Sequence, residues 1–111
     1  MPRVTYPFRA TQAGGIDIVY VFTPSGERVK PILKIRSRSG THGYDVFELG
    51  PGVYYTVWLS RPNNPTKPVS VKYRRLIVDA SGVKGIDATE SELPPGVINA
   101  TRRILVKIQG A

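Results

Sequence analysis

Residues 47–61, FELGPGVYYTVWLSR, decide the fold that we expect for this chain. A Gly-Pro-Gly turn at 50–52 precedes a run of β-branched and aromatic residues, which is typical of a β-strand. Successive side chains of a strand point to opposite faces, which gives two sets: Tyr54, Thr56 and Trp58, then Tyr55, Val57 and Leu59. The single tryptophan and two of the six tyrosines lie here. We therefore predict that this run is the central strand of an all-β core.

Further strands are predicted on both sides of it. Alternating or β-branched runs cover residues 3–9, 16–22, 29–37, 44–49, 69–79 and 97–109. Pro7 and Pro31 indicate edge or bulged positions, because proline lacks the N–H that a central strand needs. Turn signals recur about every 8–12 residues. We predict a single antiparallel β-sandwich of about seven strands, immunoglobulin-like or jelly-roll-like, with the last strand at 97–109.

The length of 111 residues predicts one domain with its own hydrophobic core. Within it we expect a proline-rich N-terminal arm at about residues 1–10, a proline-rich loop at 61–68 and an acidic turn at 87–96. Pro94 and Pro95 limit any helix in the acidic turn to about one turn. No run approaches the roughly 18 apolar residues of a membrane-spanning helix, and the N-terminus lacks the apolar core of a signal peptide. We expect no membrane contact and a location in a virion or the cytoplasm.

Three short runs form a recognisable pattern: VYVF at 19–22, PSGE at 24–27 and FELGPGVY at 47–54. This strand, hairpin and turn-strand series resembles immunoglobulin-like and prealbumin-like sandwich modules. It is also similar to small β-sandwich modules of phage and virus structural proteins. Gly50 stands where the commoner form of the motif has a proline. The resemblance implies a sandwich fold and a role in particle assembly.

Residues that carry catalysis or bind metals are sparse. Cysteine is absent, which excludes disulfides and thiolate chemistry. The single histidine, His42, lies in a Gly/Ser/Thr loop, where a solvated side chain is the simplest interpretation. Asp79, Asp87, Glu90 and Glu92 lack the spacing of a calcium loop. We expect no enzymatic activity, no cofactor, no metal and no small-molecule substrate.

The charge points to polyanionic or acidic partners. The net charge is +8 and the isoelectric point is about 10.1, which favours association with nucleic acid or an acidic protein surface. Arginine binds phosphates and carboxylates through two parallel hydrogen bonds. Basic residues cluster on three predicted strands: Lys34, Arg36 and Arg38; Lys72, Arg74 and Arg75; Arg102, Arg103 and Lys107.

Three functional hypotheses stay open. The preferred one is a structural module of a virion, capsid-decorating or in the tail or neck, that binds itself or another structural protein. Its contact would join the acidic turn of one copy, at Glu90 and Glu92, to basic residues of the next: Arg36, Arg38, Arg74 and Arg75. The alternative is a small nucleic-acid-binding protein that uses the same arginines. The third, carbohydrate binding through Trp58, requires an exposed tryptophan, whereas a central strand argues for burial.

Overall fold

A computed structural model describes residues 1–64 and 66–109, and these form eight antiparallel strands and one C-terminal α-helix. A short 3₁₀ turn, Glu90–Glu92, precedes helix α1, Pro95–Gln109. The predicted all-β class is confirmed. The strands are β1 Arg3–Ala10, β2 Ile16–Phe22, β3 Arg28–Val29, β4 Leu33–Arg36, β5 His42–Glu48, β6 Gly52–Arg61, β7 Ser70–Asp79 and β8 Gly82–Ala88.

The strand order is β4-β5-β1-β2-β6-β7-β8, and the short β3 pairs with β2. β6 pairs with β2 on one side and with β7 on the other along most of its length. Its central position, predicted from residues 47–61, is confirmed. No helix of the described residues combines the length and apolar character needed to cross a membrane.

The sheet is continuous but folds back on itself between β1 and β2. β1 pairs with β5 from Arg3 to Arg9, yet with β2 only at Arg9 and Ala10. Beyond this point the two strands separate, and a short layer of β1, β4 and β5 lies across a long layer of β2, β6, β7 and β8. Strands from both layers meet in one buried cluster: Val21, Phe47, Leu49, Leu76 and Val78, with Val4 and Tyr6 at its border. The layers face each other as in a sandwich, but one hydrogen-bonded sheet replaces the separate sheets of an immunoglobulin-like or jelly-roll-like arrangement.

β1 lies inside the sheet order rather than at an edge or in a free arm, although it contains Pro7. The Ala10 N–H donates to the Thr41 carbonyl at 2.9 Å. Because backbone groups of a strand alternate in direction, the even-numbered residues of β1 hydrogen-bond with β5. The backbone nitrogen of Pro7, which carries no hydrogen, therefore faces away from β5, on the side where β1 has already left β2. The proline costs no hydrogen bond there.

The prediction of a final strand at 97–109 is wrong, because Pro95–Gln109 is an α-helix. Pro95 is the first helical residue, whose N–H would have no partner within the helix, so the Pro94-Pro95 pair starts the helix instead of ending it. The alternation of Ile104, Val106 and Ile108 is misleading, since Val106 is exposed. The buried side recurs at helical spacing: Val97, Ala100, Ile104, Leu105 and Ile108.

Helix α1 covers the face of the long layer that the short layer leaves free. It packs on a second apolar cluster, whose buried members are Phe22, Tyr55, Val57, Leu59, Leu93, Val97 and Ala100. At its start, the Ser25–Gly26 turn approaches so closely that a Cβ on Gly96 would collide with the Ser25 carbonyl. At its end, Arg61 donates from Nη1 to the Ile108 carbonyl at 2.9 Å. The helix is therefore held at both ends.

Candidate functional site

The two layers do not close completely, and an open cleft of about 590 Å³ lies between them. We call the side of the long layer that lines it the cleft face, and the side covered by α1 the helix face. Five strands contribute to the lining: Tyr6, Asp17, Val19, Thr56, Trp58, Ser60, Ser70, Lys72, Arg74 and Asp87.

Strand register places these residues side by side. Antiparallel pairing sets Trp58 opposite Val19 on β2 and opposite Lys72 on β7. Directly paired residues share a face with their Cβ atoms about 5 Å apart. The cleft face consequently carries three rows across the strands: Asp17–Ser60–Ser70, Val19–Trp58–Lys72 and Val21–Thr56–Arg74–Asp87.

Trp58 is the most informative residue of the cleft. Although it belongs to the central strand, its exposed fraction is 38%. The expectation that a central strand buries this ring is wrong, because the short layer packs against the other end of the cleft face, at Val21, Leu76 and Val78, and leaves Trp58 partly uncovered. A large aromatic ring that is left open on a rigid strand offers a surface for stacking.

Both cleft carboxylates are already paired with arginines. Arg74 Nε lies 3.0 Å from Asp87 Oδ1 on the neighbouring strand. At the other end of the cleft, Arg9 Nη2 lies 3.2 Å from Asp17 Oδ2, and Ser60 Oγ donates to Asp17 Oδ1 at 2.5 Å. Lys72 forms no ion pair with any described residue. The cleft therefore has a positive charge beside Trp58 that no carboxylate of the described chain neutralises.

Tyr6 closes the inner end of the cleft. Burial raises the pKa of its hydroxyl, and the nearby Arg74 guanidinium partly offsets that rise. The hydroxyl is therefore protonated at neutral pH and can donate a hydrogen bond into the cleft. Its ring packs edge-on against Phe47, with 6.1 Å between the ring centroids.

The predicted partner-binding arginines are divided among separate places. Arg36 on β4 is half-buried, with Nη2 2.9 Å from Asp45 Oδ1 and the guanidinium 3.7 Å above the Phe8 ring. The Asp45 contact is an ion pair without an aligned hydrogen bond. Arg36 thus helps to hold the short layer together. Arg38 lies exposed in the β4–β5 turn.

On β7, neighbouring arginines point to opposite faces. Arg74 lines the cleft, whereas Arg75 lies on the helix face and lines a small hollow together with Glu92. Glu90 and Glu92 are exposed on the 3₁₀ turn. Within one copy, the acidic turn forms an ion pair with β7 through Asp87 and Arg74, whereas Glu92 and Arg75 only line the same hollow. The predicted contact between copies stays a prediction.

The three basic clusters do not form one stripe. They lie on β4 and the turn that follows it, on β7 and on α1, and β4 and β7 are separated by four strands in the sheet order. Among the described residues, no group of three or more His, Asp or Glu side chains is placed to hold a metal ion.

Sequence reasoning did not select Trp58, Tyr6 and Lys72 as a group. One signal was present in the central strand. Thr56, Trp58 and Ser60 form a face with two hydroxyls, while Tyr55, Val57 and Leu59 form an apolar face. Of this face, Trp58 and Ser60 border solvent, whereas Thr56 is buried.

Comparison with known proteins gives the fold. No family model and no curated protein matches the sequence. The ORF157 protein of Acidianus filamentous virus 1 superposes with a TM-score of 0.64 at 15% identity, over 80% of this chain and 57% of its own. An engineered protein of the Northeast Structural Genomics Consortium superposes with a TM-score of 0.58 at 20% identity, over 80% and 57%. The chain thus spans little more than half the length of either neighbour.

Proposed function

We propose that this protein binds single-stranded nucleic acid in the cleft, with Trp58 as the stacking surface and Lys72 and Arg74 as phosphate contacts. One observation carries the proposal: an exposed tryptophan on the central strand lies directly opposite a lysine that has no carboxylate partner among the described residues. A nucleotide has the matching arrangement, a flat base beside an anionic phosphate.

The spacing along β7 extends this match. Arg74 follows Lys72 on the same face, about 7 Å further along the strand. A second phosphate of the same extended strand can bind Arg74, either beside Asp87 or in its place, because the Asp87 side chain is mostly exposed. The net charge of +8 adds long-range attraction to any polyanion.

The ligand is single-stranded because a base within a duplex is already stacked on its neighbours. Trp58 can stack only on a base that is unpaired or turned out of the helix. Such stacking accepts any base, since each has an aromatic face, and contributes about 1–3 kcal/mol per base. We therefore expect binding with little sequence preference.

Carbohydrate binding through Trp58 requires an exposed ring, and the Trp58 ring is partly exposed. The cationic side chains beside the ring and the net charge favour a polyanion over a neutral sugar. The two ligands are distinguished by salt, because only phosphate contacts release counterions on binding.

The test is a titration of nuclease-treated protein with a labelled oligothymidylate, a duplex of equal length and a neutral oligosaccharide. Trp58 is the only tryptophan, so its fluorescence reports the cleft directly. We expect the single strand to quench this fluorescence and to bind more weakly as salt rises. Quenching by the sugar alone, or binding without quenching, would contradict the proposal.

A second candidate function is assembly of copies of this chain, as a component of a virion. Three exposed apolar side chains lie together on β4 and its neighbour β5: Leu33, Ile35 and Tyr44. Ile32, which directly precedes β4, is exposed as well. β4 ends the sheet, and its outer backbone groups have no partner strand within the described chain. Two copies of such an edge related by a two-fold axis pair antiparallel, so the occupant that we propose is a second β4. The viral source of one structural neighbour is compatible with this role.

Molar mass by light scattering across protein concentration tests the assembly. We expect a dimer that Ile35→Lys dissociates, while Val106→Lys on the exposed side of α1 leaves it intact. A monomer at every concentration would contradict this second function and leave the nucleic-acid proposal untouched.

A further inference from the structure

A groove of about 400 Å³ lies between α1 and the β2–β3 hairpin, on the helix face of the long layer. It is therefore separated from the Trp58 cleft by the sheet itself. Among residues 1–64 and 66–109, no carboxylate lines it. We call it the helix groove; cationic and aromatic side chains line it on two walls.

One wall consists of stacked aromatic and guanidinium groups on the β2–β3 hairpin. The rings of Tyr20 and Phe22 are nearly parallel, with 6.4 Å between their centroids and 17° between their planes. The Arg28 guanidinium lies 4.8 Å from the Tyr20 ring centroid. A guanidinium stacked on one ring keeps its in-plane donors and its other face for a ligand.

The other wall is one side of α1. Arg103 and Lys107 are four residues apart and so project from the same side of the helix. Ile104 and Ile108 lie beside them and give the groove an apolar floor. The groove therefore combines apolar surface with positive charge on both sides.

The three cations of the helix groove lack acidic partners. Arg28, Arg103 and Lys107 form no ion pair with any described residue. Tyr20 adds no negative charge at neutral pH, because burial raises the pKa of its hydroxyl more than Arg28 lowers it, and the Asp45 carboxylate raises it further. Three like charges around one hollow repel each other, and a bound anion relieves that repulsion.

We infer that the helix groove is a second binding site, for a nucleotide phosphate. The base would stack on the outer face of the Arg28 guanidinium, and the phosphate would lie between Arg103 and Lys107. The inference does not depend on the proposed function of the cleft. The ligand is either a free nucleotide or the phosphorylated end of a strand, and both present the same base and phosphate.

The experiment is calorimetric titration of nuclease-treated protein with adenosine diphosphate, adenosine and inorganic phosphate. We expect the diphosphate to bind at least about tenfold more tightly than either fragment, since only it engages both walls. A 5′-phosphorylated oligonucleotide that competes with it identifies a strand end as the ligand, and failure to compete identifies a free nucleotide.

The helix offers a matched control. Arg102 and Arg103 are adjacent, exposed and equally charged, but Arg102 does not line the groove. Its charge acts instead on Tyr73 of β7, where it opposes in part the rise in pKa that burial causes. We expect Arg103→Ala to weaken the affinity for adenosine diphosphate about tenfold, the loss of one charge-assisted contact, and Arg102→Ala to leave it unchanged. Circular dichroism confirms that both variants are folded.

Two results would overturn the inference. One is equal loss of affinity in Arg103→Ala and Arg102→Ala, which would indicate general charge attraction. The other is loss of adenosine diphosphate binding in Trp58→Ala with retention in Arg103→Ala, which would place the nucleotide in the cleft. If Trp58→Ala loses oligothymidylate binding but keeps adenosine diphosphate binding, the two ligands bind at separate sites, as the inference requires.

Discussion

The two faces of β6 differ in what covers them, although they alternate along one strand. On the helix face, Val57 and Leu59 are fully buried beneath α1, each with an exposed fraction of 0%. On the cleft face, Trp58 between them is 38% exposed. The helix is held at both ends, whereas β1 leaves β2 after two paired residues. The buried side chains of β6 stabilise the fold, whereas the partly covered side of the strand is accessible to a ligand.

The largest effect should come from opening the helix face. Leu59→Ala removes a fully buried side chain and leaves a cavity, and we expect it to lower the free energy of unfolding by about 2–5 kcal/mol. Trp58→Tyr, one residue away on the cleft face, should lower it by much less. Urea denaturation followed by circular dichroism measures both. Equal losses would show that the two faces are equally important for stability.

A second variant disturbs the cover of the helix face. Gly96→Ala sets a Cβ against the Ser25 carbonyl, so the β2–β3 turn and the start of α1 must move apart. We expect a loss of about 1–3 kcal/mol, the usual cost of overpacking. Gly50→Ala is the control, because a Cβ there meets only Met1 Sδ at 3.6 Å. Thermal melting of the two variants gives the comparison, and a wild-type melting temperature for Gly96→Ala would contradict the close approach.

On the cleft face, the expected effect is on binding rather than folding. Trp58→Ala should weaken oligothymidylate binding by about 1–3 kcal/mol, the contribution of one stacked base. Trp58→Phe should retain part of the affinity, since a smaller aromatic ring still stacks. Fluorescence anisotropy of the labelled oligonucleotide measures both variants. Full affinity in Trp58→Ala would remove the ring from the site.

The charge beside Trp58 should show itself in the salt dependence. Lys72→Ala should reduce the slope of log K against log salt by about one unit, because one phosphate contact is lost. Lys84→Ala removes the same charge from β8, where pairing with Ile77 sets it on the helix face. Its slope should equal that of the wild type. A similar change in both would indicate a diffuse charge effect instead of a contact.

The smallest expected effect is at the boundary between core and cleft. The pKa of Tyr6 is raised above 10.0 in the folded protein, because burial disfavours the phenolate. Its contribution to stability is therefore complete below pH 10 and is lost as the pH rises toward the higher folded value. Tyr6→Phe should lose less stability between pH 9 and pH 11 than the wild type. Urea midpoints at those two pH values measure it, and parallel curves would contradict a buried hydroxyl.

The sequence by itself determined the central strand and its two faces. The β-branched and aromatic run after the Gly-Pro-Gly turn has one regular local conformation, and alternation assigns each side chain to a face. The all-β class follows from the same local rules. The C-terminal element was misassigned, because isoleucines at 104 and 108 satisfy both a strand period and a helix period when Val106 lies between them.

Only the tertiary structure decided what covers each face. Pro94 and Pro95 can end a preceding helix or begin a following one. Packing of residues 97–108 on the second apolar cluster selected the second possibility. The exposure of Trp58 depends on how far the short layer reaches across the cleft face, and the pairing of Arg36 with Asp45 depends on the neighbouring position of β4 and β5. Such contacts join residues far apart in the chain. Local periodicity carries no information about them, so the cleft and the helix groove became visible only once the layers were in place.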